Sequence, residues 1–246
     1  IGIALLTLGA MAQSISWQTA FIVTAAAAAL GMVIVFFGYV RAPDAPKAQK
    51  INLGSLTQRE WILIAATAMP WMIYNAGYAL LVAFLPTHFI SEGLSIVSAG
   101  GMTALNTILV IASVQSGGLL VQRYGRANLM VHSSLAALVL VLIGLLTSDT
   151  PLPWIIASGL IAGLPAGVFV SLPGEVLRPE SRSAGMGVFY TIYYAGIAVV
   201  PPIAGAMSDR TGSTAAPIWI ATACFAISSG AFLVVRWLQK LTQTPA

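Results

Sequence analysis

Apolar runs of about twenty residues, each closed by a short polar turn, leave this chain few folds to adopt. They fall at about 19–40, 60–85, 97–121, 129–147, 154–172, 184–207 and 214–235, with a partial run at 1–12. About 20 helical residues cross the roughly 30 Å hydrocarbon layer of a bilayer. In lipid no water is available to bond the peptide groups, so only helices and closed barrels can span. Unbroken apolar runs without a two-residue alternation are helices. The expected fold class is therefore an all-α integral membrane protein.

Composition agrees. The chain is 58% hydrophobic and 7% charged, against about 25% charged residues in soluble domains. The net charge of +4 marks loops on one side of a membrane and does not point to nucleic acid. A single cysteine, Cys224, excludes an internal disulfide. The chain opens inside an apolar run at Ile1, with no basic leader segment. That predicts a chain beginning partway through a membrane helix.

Charge also tests the span count. Strict alternation from the basic linker at 41–59 puts Arg41, Lys47, Lys50, Arg59, Arg123, Arg126, Arg178, Arg182, Arg236 and Lys240 on one side. Only Arg210 falls on the other. Such a bias marks the cytoplasmic side. It predicts a cytoplasmic C-terminus; the expected location is the plasma membrane, a bacterial inner membrane. Thr57 and Glu60 have the spacing of a capping box at a helix start. Pro70 predicts a kink in the run at 60–85.

One turn stands out. Gly118-x-x-x-Gln122-Arg123-x-Gly125-Arg126 links two runs, and Gly125 is free to take a positive φ where the chain reverses. A shorter echo, Gly205-x-x-x-Asp209-Arg210-x-Gly212, lies three spans later, which inverts its orientation. The first pattern resembles the loop signature of the major facilitator superfamily of secondary transporters, with Gln122 where the family has Asp. The link Arg178-Pro179-Glu180-Ser181-Arg182 and Pro202-x-x-Gly205 before the echo are similar to that family too.

The resemblance implies the C-terminal half of a twelve-helix permease, from the end of the fifth helix through the twelfth. Residues 1–40 would close the N-terminal bundle, 41–59 would link the bundles, 60–240 would form the second six-helix bundle, and 241–246 a cytoplasmic tail. It implies a carrier that moves a small solute by alternating access, with a coupling ion or without one. Its partners would be the bilayer and an N-terminal bundle of the same chain. The Leu85-Pro86 exit and the tyrosines of the eleventh helix resemble the cyanate-transporter-like branch. The Gly-Pro pair of the drug–proton antiporters would fall near Leu5-Leu6 and is absent, although an antiporter of that kind stays an alternative. A membrane enzyme and a receptor-like protein are the readings from other classes.

No Asp, Glu, Lys or Arg lies at the middle of a span. Recognition therefore falls to uncharged polar and aromatic groups. Tyr74, Asn75 and Tyr78 share one side of the seventh helix. Thr103, Asn106, Ser113 and Gly117 share a face of the eighth, and Tyr190, Tyr193 and Tyr194 a face of the eleventh. The resemblance places these helices around a cavity. Gly159, Gly163 and Gly167, with Pro165, suit close packing or bending of the tenth helix. The loop signature implies a gate of Gly118, Arg123, Gly125 and Arg126, with Arg123 or Arg126 reaching Glu175 or Glu180. Arg178, Arg182, Asp209 and Arg210 complete this set. His88 and His132 lie near opposite span ends, and no metal or cofactor site is expected.

Overall fold

The structure is a computed structural model that describes Met11, residues 14–40 and residues 53–243. Most of the partial helix expected at 1–12, the linker residues 41–52 and the last three residues lie outside the described residues. Among the described residues every regular element is helical. They are α1 (Trp17–Gly38), α2 (Gln58–Ser91), α3 (Ile96–Tyr124), α4 (Ala127–Thr147), α5 (Pro151–Ala162), α6 (Ala166–Val176), α7 (Arg182–Thr211) and α8 (Ala216–Gln243). A short 3₁₀ turn at Leu53–Ser55 precedes α2. With α5 and α6 taken as one broken crossing, 7 stretches among the described residues are long and apolar enough to span.

Local chemistry fixes the helix ends. Ser16 and Ser95 accept the backbone N–H three residues on, at the starts of α1 and α3. Thr57 and Glu60 form the reciprocal capping box at the start of α2. Gly125 closes α3 with φ 64° and Gly212 closes α7 with φ 64°. Both arms of the sequence echo thus end in the same left-handed cap, which carries no Cβ penalty at glycine. The two caps sit at opposite ends of the bundle.

Three boundaries differ from expectation. Helix α2 runs through Pro86 to Ser91 and does not end near Leu85. A single proline removes one rung, which a long membrane helix tolerates. The charged link expected at 173–182 shortens to 177–181, because α6 continues through Pro173 to Val176. The crossing expected at 154–172, with Pro165 suited to a bend, goes further and breaks at residues 163–165.

Helix α2 is the centre of the bundle, packing on α8, α7, α3 and α6. Lipid tails are as apolar as leucine, so helix association in a bilayer rests on close approach and hydrogen bonds. Gly77 gives α8 that approach: a Cβ there would lie 3.0 Å from the Cβ of Cys224. Ser228 of α8 donates to the Pro70 carbonyl at 2.9 Å. Leu80, Leu81, Leu85 and Phe89 of α2 are buried with Leu135, Leu138 and Leu142 of α4 and with Phe169, Phe225 and Phe232. Helix α1 has a mean hydropathy of 2.5 and buries none of its residues.

Cross-links between ends fix sidedness without reference to charge. Glu60 at the start of α2 meets Arg178 after α6, and Glu175 near the end of α6 meets Arg236 near the end of α8. At the other end His88 and Ser91 of α2 meet Thr214 before α8. Of the described basic residues, Arg59, Arg123, Arg126, Arg178, Arg182, Arg236 and Lys240 lie toward the first end and Arg210 toward the second.

Candidate functional site

Three groups of polar or aromatic side chains stand out in the bundle. The first lies where α2 meets α7. The indole of Trp71 stacks on Tyr74 and on Tyr193, with ring centroids 5.8 Å apart in each case. Tyr193 meets Tyr194 edge-on at 4.7 Å and Tyr190 at 6.1 Å. Tyr190 and Tyr194 are exposed, Tyr193 and Asn75 half-buried. Asn75 donates one amide N–H to the Trp71 carbonyl at 2.8 Å, within its own helix. The result is an uncharged, aromatic and hydroxyl-bearing face that the rest of the described bundle leaves uncovered. Trp71 was missed in the sequence, although it precedes Tyr74 and Asn75 by one helical turn.

The second group is buried and joins α3 to α5 and α6. Asn106 donates to the Ser158 hydroxyl at 2.7 Å and to the Ile155 carbonyl at 3.2 Å. Thr103 donates to the Ala99 carbonyl of its own helix. Tyr74 points inward, away from the tyrosine face, and its hydroxyl donates to the Ala162 carbonyl. Tyr78 is half-buried and packs on the core. Among the residues expected to share a cavity, the structure therefore brings Tyr190, Tyr193 and Tyr194 to one open face, with half-buried Asn75 one turn beyond the Trp71 that stacks on Tyr193. It places Tyr74, Thr103 and Asn106 in the bundle interior, with their polar groups engaged by helix backbone and a serine.

Glycines permit the contact between α3 and the α5–α6 crossing. A Cβ on Gly117 would collide with the backbone of Leu164, and one on Gly163 with the Ser113 hydroxyl and the Val110 carbonyl. A Cβ on Gly159 would lie 2.8 Å from the Asn106 carbonyl. Gly167 and Gly118 face open space. The stripe expected at 159, 163 and 167 thus packs through its first two members only.

The third group lies at the end of the bundle that carries most of the base. The buried carboxylate of Glu60 accepts from Arg178 through Nε at 3.1 Å and Nη2 at 3.0 Å, and from the Ser181 hydroxyl. The paired carboxylate pushes the pKa of Arg178 above its ordinary value. Glu175 pairs with Arg236, whose Nε also donates to Asn128 of α4 at 2.9 Å. A cleft of about 560 Å³ lies between, lined by Thr57, Arg59, Glu60, Glu175, Arg178 and Gln239. Arg123 lies 5.7 Å over the Tyr124 ring. Among the described residues neither Arg123 nor Arg126 is ion-paired with Glu175 or Glu180, because α8 brings Arg236 to Glu175 instead. Arg126, Glu180, Arg182, Asp209 and Arg210 are exposed.

The sequence profile of the Major Facilitator Superfamily matches residues 1–201. No curated protein and no solved structure shows a match.

Proposed function

The chain belongs to the major facilitator superfamily, a family of multi-pass membrane transporters, and on that premise we propose that it moves a small uncharged or amphipathic solute by alternating access. One observation carries the reading: the open face of Tyr190, Tyr193 and Tyr194 on α7, with half-buried Asn75 on α2 and no charged residue between 61 and 87 or between 183 and 208. Apolar walls with a few placed donors and acceptors suit small-molecule recognition. A fixed cation or anion on the solute would find no counter-charge on this face. A second bundle of the same fold, packed toward α1 and this face, would close the cavity.

The gate in this proposal is the tip of α6. Two ion pairs fasten it: Glu175 to Arg236 on α8, and Arg178 to Glu60 on α2. Opening toward that side would break or slide both. In this proposal the side with the clustered base faces the cytoplasm, with the C-terminus inside and a bacterial inner membrane as the setting.

The test is uptake by vesicles holding the complete protein, against a panel of uncharged, cationic and anionic solutes. Saturable uptake of an uncharged solute is expected, with KM raised several-fold by Asn75→Ala. Uptake confined to charged solutes would overturn the substrate class. Absence of uptake of any solute by correctly folded protein would overturn the carrier reading.

A further inference from the structure

The break between α5 and α6 takes the helical partners from several carbonyls, and two of them, Gly159 and Ala162, lie against hydroxyls from different neighbouring helices. In an unbroken helix the Gly159 carbonyl would accept from the N–H of Gly163, and that of Ala162 from the N–H of Ala166. Pro165 has no N–H and its ring blocks the regular turn. The chain tightens to i→i+3 bonding instead: Leu164 N–H to Ile161 and Ala166 N–H to Gly163, both 3.1 Å. The carbonyls of Gly159 and Ala162 are then free in a region without water, where an unmet peptide group costs several kcal/mol.

Ser113 of α3 supplies both halves of the first lost rung. Its hydroxyl accepts the Gly163 N–H at 2.9 Å and has two carbonyls within donating reach, Gly159 at 2.9 Å and Val110 of its own helix at 3.0 Å, which share its one proton. Tyr74 of α2 supplies the second by donating to the Ala162 carbonyl. Gly117 and Gly163 admit the contact, since a Cβ on either would collide across it.

We infer that Ser113 and Tyr74 are positioning residues that set the bend of the α5–α6 crossing. Neither hydroxyl is available to a solute while it holds the break. Asn106, two helical turns before Ser113, fastens α5 to α3 through Ser158 and Ile155, so α5 is the fixed arm. The moving arm is α6, whose tip carries Glu175. Without the Ser113 hydroxyl, the Gly163 N–H and the Gly159 carbonyl can bond directly, and the bend that Pro165 starts relaxes in part. Calling α6 a gate rests on the transport reading above; the bend itself does not.

Spin labels at Leu160 and Ser171, exposed positions on either side of the break, report the bend by electron–electron distance measurement. The complete protein is held in lipid nanodiscs without solute. Ser113→Ala and Tyr74→Phe each remove one oxygen. Both are expected to lengthen the mean separation beyond the spread of the native distribution. Ser134→Ala removes a buried hydroxyl bonded within α4 and is expected to leave the distance native. A native separation in either test variant overturns the claim for that hydroxyl, and an equal shift in Ser134→Ala overturns it for both. If Ser113→Ala does not yield folded protein, Tyr74→Phe still decides whether a hydroxyl sets the bend. Uptake is not read, so a relaxed bend in a protein that carries nothing would sink the transport reading alone.

Discussion

The guanidinium of Arg178 grips the carboxylate of Glu60 with two N–H donors, at 3.1 and 3.0 Å, across 118 residues of sequence. The partners are unequal: the Glu60 side chain is 5% exposed and that of Arg178 is 55% exposed. Loss of Arg178 leaves a buried carboxylate with hydroxyl and backbone donors alone. Loss of the charge on Glu60 leaves a guanidinium that water can solvate.

Arg178→Ala is therefore expected to cost more than Glu60→Gln. An uncompensated buried carboxylate is costly, and the exposure of the Arg178 side of the pair moderates the loss. Glu60→Gln is expected near 1 kcal/mol, since Thr57 and Ser181 still find a partner. Thermal unfolding of detergent-solubilised protein gives the order. Equal losses would mean that the buried carboxylate is not the costly partner.

The Glu175–Arg236 pair is half-open to water, and its coupling is expected at about 0.5–1 kcal/mol. In a double-mutant cycle, Arg236→Glu should be partly rescued by Glu175→Arg. Arg123→Glu should show no coupling with Glu175→Arg. Coupling at Arg123 instead would restore the pairing expected from the loop signature.

Glycines separate by what surrounds them. Gly117→Ala and Gly163→Ala force methyl groups into the backbone of Leu164 and the hydroxyl of Ser113, at about 1–3 kcal/mol each. Gly118→Ala and Gly167→Ala meet open space and should be neutral, or stabilising by up to about 1 kcal/mol through helix propensity. Unfolding temperatures ranked otherwise would contradict the packing of α3 on α5.

Gly125 and Gly212 share φ 64°. Replacement by alanine is expected to cost about 1 kcal/mol at each, with asparagine cheaper than alanine. Unequal costs at the two sites would break the structural equivalence of the echoed turns.

Much of this was legible in the sequence. Span length and loop charge gave the helices, because both follow from bilayer thickness and surface potential alone. Gly125 and the Thr57–Glu60 box were readable because their geometry is local. Pairing was not. Arg236 competes with Arg123 for Glu175 only once α8 is docked beside α6, and nothing in the sequence spacing ranks the two. Asn106 and Tyr74 read as cavity lining, and Ser113 as a member of the Asn106 face, because a polar group in an apolar run needs a partner. The partner turned out to be the backbone of a broken neighbouring helix. Pro165 and its glycines hinted at that break, but not at which hydroxyls would fill it.

Tyr194, exposed at 63% on the aromatic face, allows alternating access to be read from both sides of the membrane. In a Cys224→Ser background of the complete protein, Tyr194→Cys is treated with a membrane-impermeant thiol reagent, applied outside intact cells or to inverted vesicles. Reaction from both sides is expected, because the face opens to each in turn. Reaction from neither side, or from one side only, would mean that the face is packed or fixed and that no carrier cycle passes through it.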